Sequence, residues 1–196
     1  AEPVSIALHG VNRLPLQQGD SAVVVGAGLI GLLVVQALKA KGAGTVIAVD
    51  LDEKRLNLAK KLGADHALIS AEDVPAKVRE LVGNEDGADV SVEVVGFDPT
   101  INLAINSVRK GGSVSCVGNL KADVSFPLQA VVTRELSIYG SCASAGEYGE
   151  AVEAVASGAI KVDPLISGVA DLKDGGEWFH RLSRNDEGLM KVILKP

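Results

Sequence analysis

The chain has 196 residues, 47% of them hydrophobic and only 3% aromatic, with a formal net charge of −6. That hydrophobic content excludes disorder as the default state, and scattered basic residues on an acidic chain exclude a nucleic-acid footprint. No apolar run reaches ~18 residues, so no membrane span is expected.

In chain order, residues 2–13 read as a short helix with Pro3 in its first turn and Val4, Leu8 and Val11 on one face. Residues 14–20 are a polar turn. A strand follows at 21–26 and a helix at 29–41, closed by Gly42 and Gly44. The next strand is 45–50. Asp52 is placed to cap a helix over 53–62, which Gly63 ends.

Residues 67–69 form a short third strand. A helix over 73–82 carries an apolar stripe at Val74, Val78, Leu81 and Val82. The pattern continues with a strand at 87–95, a helix at 100–109, a strand at 113–117, an excursion over 119–135 with Pro127, and a strand at 136–140. A helix at 148–157, the pair Leu165-Ile166, a helix at 171–184 and a strand at 190–194 complete the chain. Strands and helices alternate, and the core must be built from Val, Ile, Leu and Ala. Both features predict an α/β fold with a doubly wound, six-stranded parallel sheet and right-handed crossovers.

The first strand, helix and connecting turn carry the most specific signal. Gly26, Gly28 and Gly31 have the G-x-G-x-x-G spacing of a dinucleotide-binding (Rossmann) turn. The first glycine permits the turn, the second lets a pyrophosphate approach the backbone, and the third lets the helix pack on the strand. The anion would meet free N–H groups at the positive helix end. Asp50 ends the second strand, 19 residues past Gly31, where a carboxylate can accept the ribose hydroxyls of an adenosine. Leu51 and Asp52 follow, with no cation immediately there for a 2′-phosphate, so NAD is favoured over NADP. The plainer reading of Asp50 is a helix cap. Arg55 either lies against the adenine or is solvated.

Open α/β sheets build their sites at the carboxyl ends of the strands. Here those ends are Val95-Gly96, Val117-Gly118-Asn119 and Gly140-Ser141-Cys142, small enough for a nicotinamide and its ribose to lie on the backbone. Ordinary strand-to-helix turns would favour glycine too. His9, His66 and His180 stand alone, without metal-ligand spacing. Cys116 lies in a strand, and Cys142 has no nearby histidine to make it a nucleophile. Two cysteines form no disulfide framework, and the opening Ala1-Glu2-Pro3 is no signal peptide, so a reducing, cytoplasmic setting is expected. The residues thus specify a cofactor site without a recognisable catalytic apparatus.

The chain resembles the medium-chain dehydrogenase/reductase family, most closely its zinc-dependent polyol (sorbitol dehydrogenase-like) branch. The likeness is carried by residues 2–9, 25–31, 49–55, 111–118 and 134–140, and by the closing Glu187-Gly-Leu-Met-Lys-Val-Ile-Leu194. It implies that a GroES-like catalytic domain, supplying most zinc ligands, precedes a segment such as this. Residues 1–164 would then be the NAD-binding domain, with a junction helix over 1–20, and 165–196 a segment returning to the catalytic domain. The resemblance places Leu29 and Ile30 at the pyrophosphate, with the Ile30 N–H as donor, Asp50 at the ribose and Arg55 at the adenosine end. It places Val117, Gly118, Asn119, Ser141, Cys142 and Ala143 around the nicotinamide, and Val95, at its strand end, is a cofactor-binding candidate beside them. Glu2 matches a position that in relatives binds zinc or reaches the zinc-bound water or substrate. Ala143-Ser144 stand where sorbitol dehydrogenase has an Arg-Tyr pair, so substrate contacts made by that pair are absent.

The implied activity is NAD-dependent, zinc-assisted oxidation of a polyol or secondary alcohol to a ketone, with pairing of copies through the sheet edge near 136–143. The rival readings are an NAD(H)-sensing module without chemistry and a zinc-free NADPH quinone reductase of the same superfamily.

Overall fold

The structure, a computed structural model, describes residues 1–184 and 188–196. They form two compact units, Ala1–Ile160 and Lys161–Pro196.

The first unit is built on six strands: β1 (Ala22–Val25), β2 (Val46–Asp50), β3 (His66–Ile69), β4 (Ala88–Glu93), β5 (Val108–Cys116) and β6 (Ser137–Gly140). Their order is β3-β2-β1-β4-β5-β6, and every neighbouring pair is parallel. The chain therefore winds outward from β1 in one direction and from β4 in the other. The crevice opens where the two windings part, beyond the carboxyl ends of β1 and β4.

Strand composition follows from burial on both faces. All four β1 residues are buried, as are Val46 to Val49 of β2. A strand covered on both sides has no polar face to alternate with, so it reads as an unbroken apolar run. One cover is α2 (Leu29–Ala40), whose residues Gly31 to Leu38 are all buried, Gln36 included. It is apolar around its circumference because the sheet lies on one side and α1 (Glu2–Asn12) packs on it from another. The opposite cover comes from α4 (Val74–Val82) and α5 (Asp98–Ser107). Their Val74, Val78, Ile101, Ala104 and Ile105 close on Val23, Val25, Ile47, Val49 and Val114. On the α2 side, α3 (Glu53–Lys61) packs beside α2 and α7 (Tyr148–Ala156) against α1, while Val131 of α6 (Leu128–Thr133) packs on the α4–α5 cluster.

Two local expectations change. The helix expected at 100–109 spans Asp98–Ser107, and β5 starts at Val108 rather than at residue 113. Val108 pairs with Ala88, the chain bulges, and pairing resumes at Ser113 opposite Val90. The bulge is pinned by Arg109, whose Nε donates to Asp89 Oδ1 at 2.7 Å. A bulged strand hides its period, so the Gly111-Gly112 pair looks like an inter-element turn. The excursion over 119–135 holds α6, which buries none of its residues and so carries no apolar stripe to announce it.

The second unit is a parallel pair, β7 (Ile166–Asp171) and β8 (Lys191–Lys195), joined through α8 (Gly175–Arg184). The helix expected from residue 171 gives way there to the end of a strand. Trp178 explains the close packing: a Cβ on Gly168 would lie 3.0 Å from its Cη2. Arg181 Cζ stands 3.9 Å from the Trp178 ring centroid. Residues 185–187, including the Glu187 that opens the closing motif, lie outside the described residues.

The glycines of the first turn are separable by substitution. A Cβ on Gly31 would run into the Gly26 carbonyl, whereas Gly28 has φ −72° and nothing within 4 Å of an added Cβ. Gly31→Ala is expected to cost about 1–3 kcal/mol of stability through overpacking. Gly28→Ala should stay within about 0.5 kcal/mol, as for a surface change. Urea denaturation midpoints at constant slope check both.

Candidate cofactor-binding site

The site begins at the turn from β1 into α2. Gly26 adopts φ +101°, a region that disfavours side chains, and its added Cβ would meet Val95 Cγ2 at 2.7 Å and Val94 Cγ2 at 2.9 Å. Gly28 is the N-cap of α2 and offers no capping side chain. Open space beside Gly28 and the positive end of a twelve-residue, buried helix form a cradle for an anion.

Asp50 closes this cradle. Its Oδ2 accepts from the Ala27 N–H at 2.6 Å, and its Oδ1 from the Asp52 N–H at 2.9 Å. It is Asp52, not Asp50, that caps α3, accepting from the Lys54 N–H at 2.7 Å. The helix-cap alternative for Asp50 is therefore set aside. Arg55 stands with its Nε 3.9 Å from Asp52 Oδ2, and both side chains are part-exposed.

The second part is a cleft of about 740 Å³. Its walls are Ile6 of α1, Ile30 of α2, Val94 and Val95 after β4, Cys116 to Leu120 at and after the end of β5, and Gly140 to Ala143 at and after the end of β6. Eight residues named from the sequence thus meet around one space: Ile30, Val95, Val117, Gly118, Asn119, Ser141, Cys142 and Ala143. Gly26, Gly28, Leu29 and Gly31 belong to the turn and helix start beside it, Asp50 at the end of β2 contacts that turn, and Arg55 stands on α3. Glu2 is exposed in the first turn of α1 and does not line the cleft. Ala143 is held at φ +52°, a left-handed conformation uncommon for an alanine.

Sequence reasoning missed what holds this second part together. Glu93, fully buried at the end of β4, accepts from the Val95 and Gly96 N–H groups on Oε1, each at 2.8 Å. Its main-chain oxygen accepts from Val117 N–H at 2.8 Å and Gly118 N–H at 3.1 Å. Gly118 presses so closely on Val95 and Gly96 that a Cβ there would strike their backbone. A carboxylate in an apolar strand, three residues before the glycine of a turn, was the available signal.

Cys116 pairs across the sheet with Glu93. Burial first, and then the charge of Glu93, push its thiol up to about 11, so it stays protonated and unreactive near neutrality. Cys142 is exposed.

Helix α1 is fastened to the same wall. Ser115 Oγ donates to the Gly10 carbonyl at 2.8 Å, and Arg13 Nε donates to the Gly140 carbonyl at 3.1 Å. His9 Nδ1 lies 2.8 Å from Glu147 Oε1, while Glu147 Oε2 accepts from the Ala145 N–H at 2.6 Å. His9 is solitary only in sequence; its partner is 138 positions away. Among the described residues no group of three or more His, Cys, Asp or Glu could hold a metal. No described helix is long and apolar enough to cross a membrane.

Comparison with known proteins assigns this geometry to a class. Residues 30–157 match the family model described as zinc-binding dehydrogenase. The chain belongs to that family, within the medium-chain dehydrogenases/reductases. It is 37% identical, over 98% of its length, to the probable D-xylulose reductase A of Aspergillus fumigatus, covering 55% of that protein. Among solved structures it is similar to L-idonate 5-dehydrogenase from Escherichia coli, with a TM-score of 0.89, 30% identity and coverage of 98% of this chain and 55% of that one. A putative zinc-binding dehydrogenase from Sinorhizobium meliloti, bound to NADP, also gives a TM-score of 0.89 at 30% identity, covering 100% of this chain and 58% of that one. The chain therefore spans about half the length of the curated relatives it matches.

The Glu147 contact makes a pH prediction. Its hydrogen bond with His9 holds the carboxyl below its ordinary 4.5. A carboxyl depressed in the fold stabilises it above the unfolded value, and that contribution is lost as pH falls below it. Thermal melts from pH 6 to pH 3 should show a larger fall in Tm for the wild type than for Glu147→Gln.

Proposed function

We propose that this chain is the cofactor half of an NAD-dependent, zinc-assisted dehydrogenase that oxidises a secondary alcohol of a polyol to a ketone. The observation that carries the reading is the placement of Asp50. Its carboxylate lies against the glycine turn, beside the open space at Gly28, where an adenosine ribose and its pyrophosphate would be held together. The relatives' printed names, a xylulose reductase and an idonate dehydrogenase, supply the substrate class.

In this reading NAD, when bound, supplies the hydride acceptor. The chain's own residues bind and orient. Free N–H groups at the start of α2, that of Ile30 among them, receive the pyrophosphate. Asp50 accepts the ribose hydroxyls, with Arg55 beside the adenosine. The backbone at Val117–Asn119 and Ser141–Ala143 borders the nicotinamide, and Val95 and Ile30 exclude water from it. A carboxylate at the ribose repels a 2′-phosphate, which supports NAD over the NADP seen in the Sinorhizobium relative.

Zinc belongs to this proposal only through the family, because no cluster of three or more potential ligands stands among the described residues. Glu2, at the start of α1, is the residue of this chain proposed to reach it. Residues 165–196 are proposed to pack on the catalytic portion. The outer edge of β6, unpaired among the described residues and with Ile138 exposed, is proposed to pair with a second copy. A cytoplasmic setting agrees with two free thiols.

Hydrogen bonds to a charged group are worth about 1.5–3 kcal/mol, so Asp50→Ala should weaken NAD binding by about 10- to 100-fold. The NADP affinity should fall less or rise. Isothermal titration with both cofactors reads the ratio; an unaltered NAD preference would contradict the assignment.

A further inference from the structure

We propose that Glu93 is a positioning residue for the nicotinamide end of the cleft: its buried carboxylate sets the Val95-Gly96 turn, and its main-chain oxygen sets the Val117-Gly118 turn against it. The inference rests on the cofactor reading and adds to it a residue outside the contact shell.

Three observations converge. Glu93 has no exposed surface, yet carries a carboxylate into a strand whose other buried residues are apolar or small. Burying such a group is costly unless its acceptors are used. One oxygen is used twice, by the Val95 and Gly96 N–H groups, while Oε2 is buried without a hydrogen-bond partner among the described residues. The carboxylate is thus retained for the turn it holds rather than for a network around it. Finally, the turn it holds is packed directly on the one after β5, whose Lys121 N–H also donates to the Gly96 carbonyl at 3.2 Å. Gly96 sits at φ +90°, and its added Cβ would come within 2.5 Å of Asn119 N. A small shift of Gly96 must therefore move Gly118 and Asn119, both walls of the cleft. Two turns from different strands are referred to one residue at the end of β4.

Length and charge act separately. Glu93→Gln keeps one accepting oxygen at the same reach and removes the charge. Glu93→Asp keeps the charge and withdraws the oxygen by one methylene. Amide hydrogen exchange and ligand affinity are measured on this chain for wild type and both variants. The ligands are NADH and ADP-ribose, which lacks the nicotinamide.

Glu93→Asp is expected to speed exchange at Val95 and Gly96 by about tenfold, with Val23 and Val24 unchanged, and to weaken NADH by about tenfold. ADP-ribose should stay within about twofold, as it makes no use of these turns. Glu93→Gln should show about a threefold change in exchange, since a charge-assisted bond becomes a neutral one. If Glu93→Asp does not fold, that threefold change decides alone. Unchanged exchange at Val95 and Gly96, or equal loss of NADH and ADP-ribose, overturns the positioning role. Faster exchange in a protein that binds neither ligand would uphold the hold on the turns and overturn the cofactor reading instead.

Discussion

The contact between Gly31 and the Gly26 carbonyl governs the geometry of the rest. Helix α2 can follow β1 after only three residues because no side chain at Gly31 stands against the Gly26 carbonyl. With the helix start drawn down onto the strand, the space beside Gly28 is left open and the Ala27 N–H is turned toward Asp50. The helix dipole, the free N–H groups and the Asp50 carboxylate then face one region. Each is weak alone, and their convergence is a consequence of one backbone contact.

The cleft, proposed as the nicotinamide end, is organised differently. No helix terminus governs it; three strand ends and α1 do. Glu93 ties the β4 and β5 turns together, and Ser115, Arg13 and the His9–Glu147 pair tie α1 to β5 and to the segment after β6. The cleft is a product of long-range polar fastening over an apolar sheet. In the proposed reading, the adenosine half would be prearranged by backbone geometry, and the reacting half by side chains tunable without altering the fold.

The parts of this plan differ in how legible they were. The apolar runs Ala22–Val25 and Val46–Val49, separated by an apolar helix, announce a parallel sheet because burial on both faces removes alternation. Gly26, Gly28, Gly31 and Asp50 were legible because their spacing is local and each has a distinct steric or electrostatic task. The start of β5 was not, since the bulge at Arg109–Gly112 mimics a turn. Strand β7 was missed because its partner β8 lies beyond an intervening helix, and pairing alone makes so short a run a strand. Glu93 and Glu147 were missed for a related reason. A buried carboxylate is identified by what it touches, and in the Glu147 case the partner is 138 residues distant. Zinc chemistry is written in no motif of the described residues, and it enters through family membership alone.

One continuous site is proposed to run from the glycine turn past Asp50 into the cleft. Titrating NAD into isotope-labelled protein and following backbone amide shifts tests it directly. Saturable shifts are expected at Ala27, Gly28, Ile30 and Leu51, together with Gly96, Gly118 and Ser141, all with one dissociation constant. Shifts confined to other surfaces, or two groups of amides titrating independently, would contradict it.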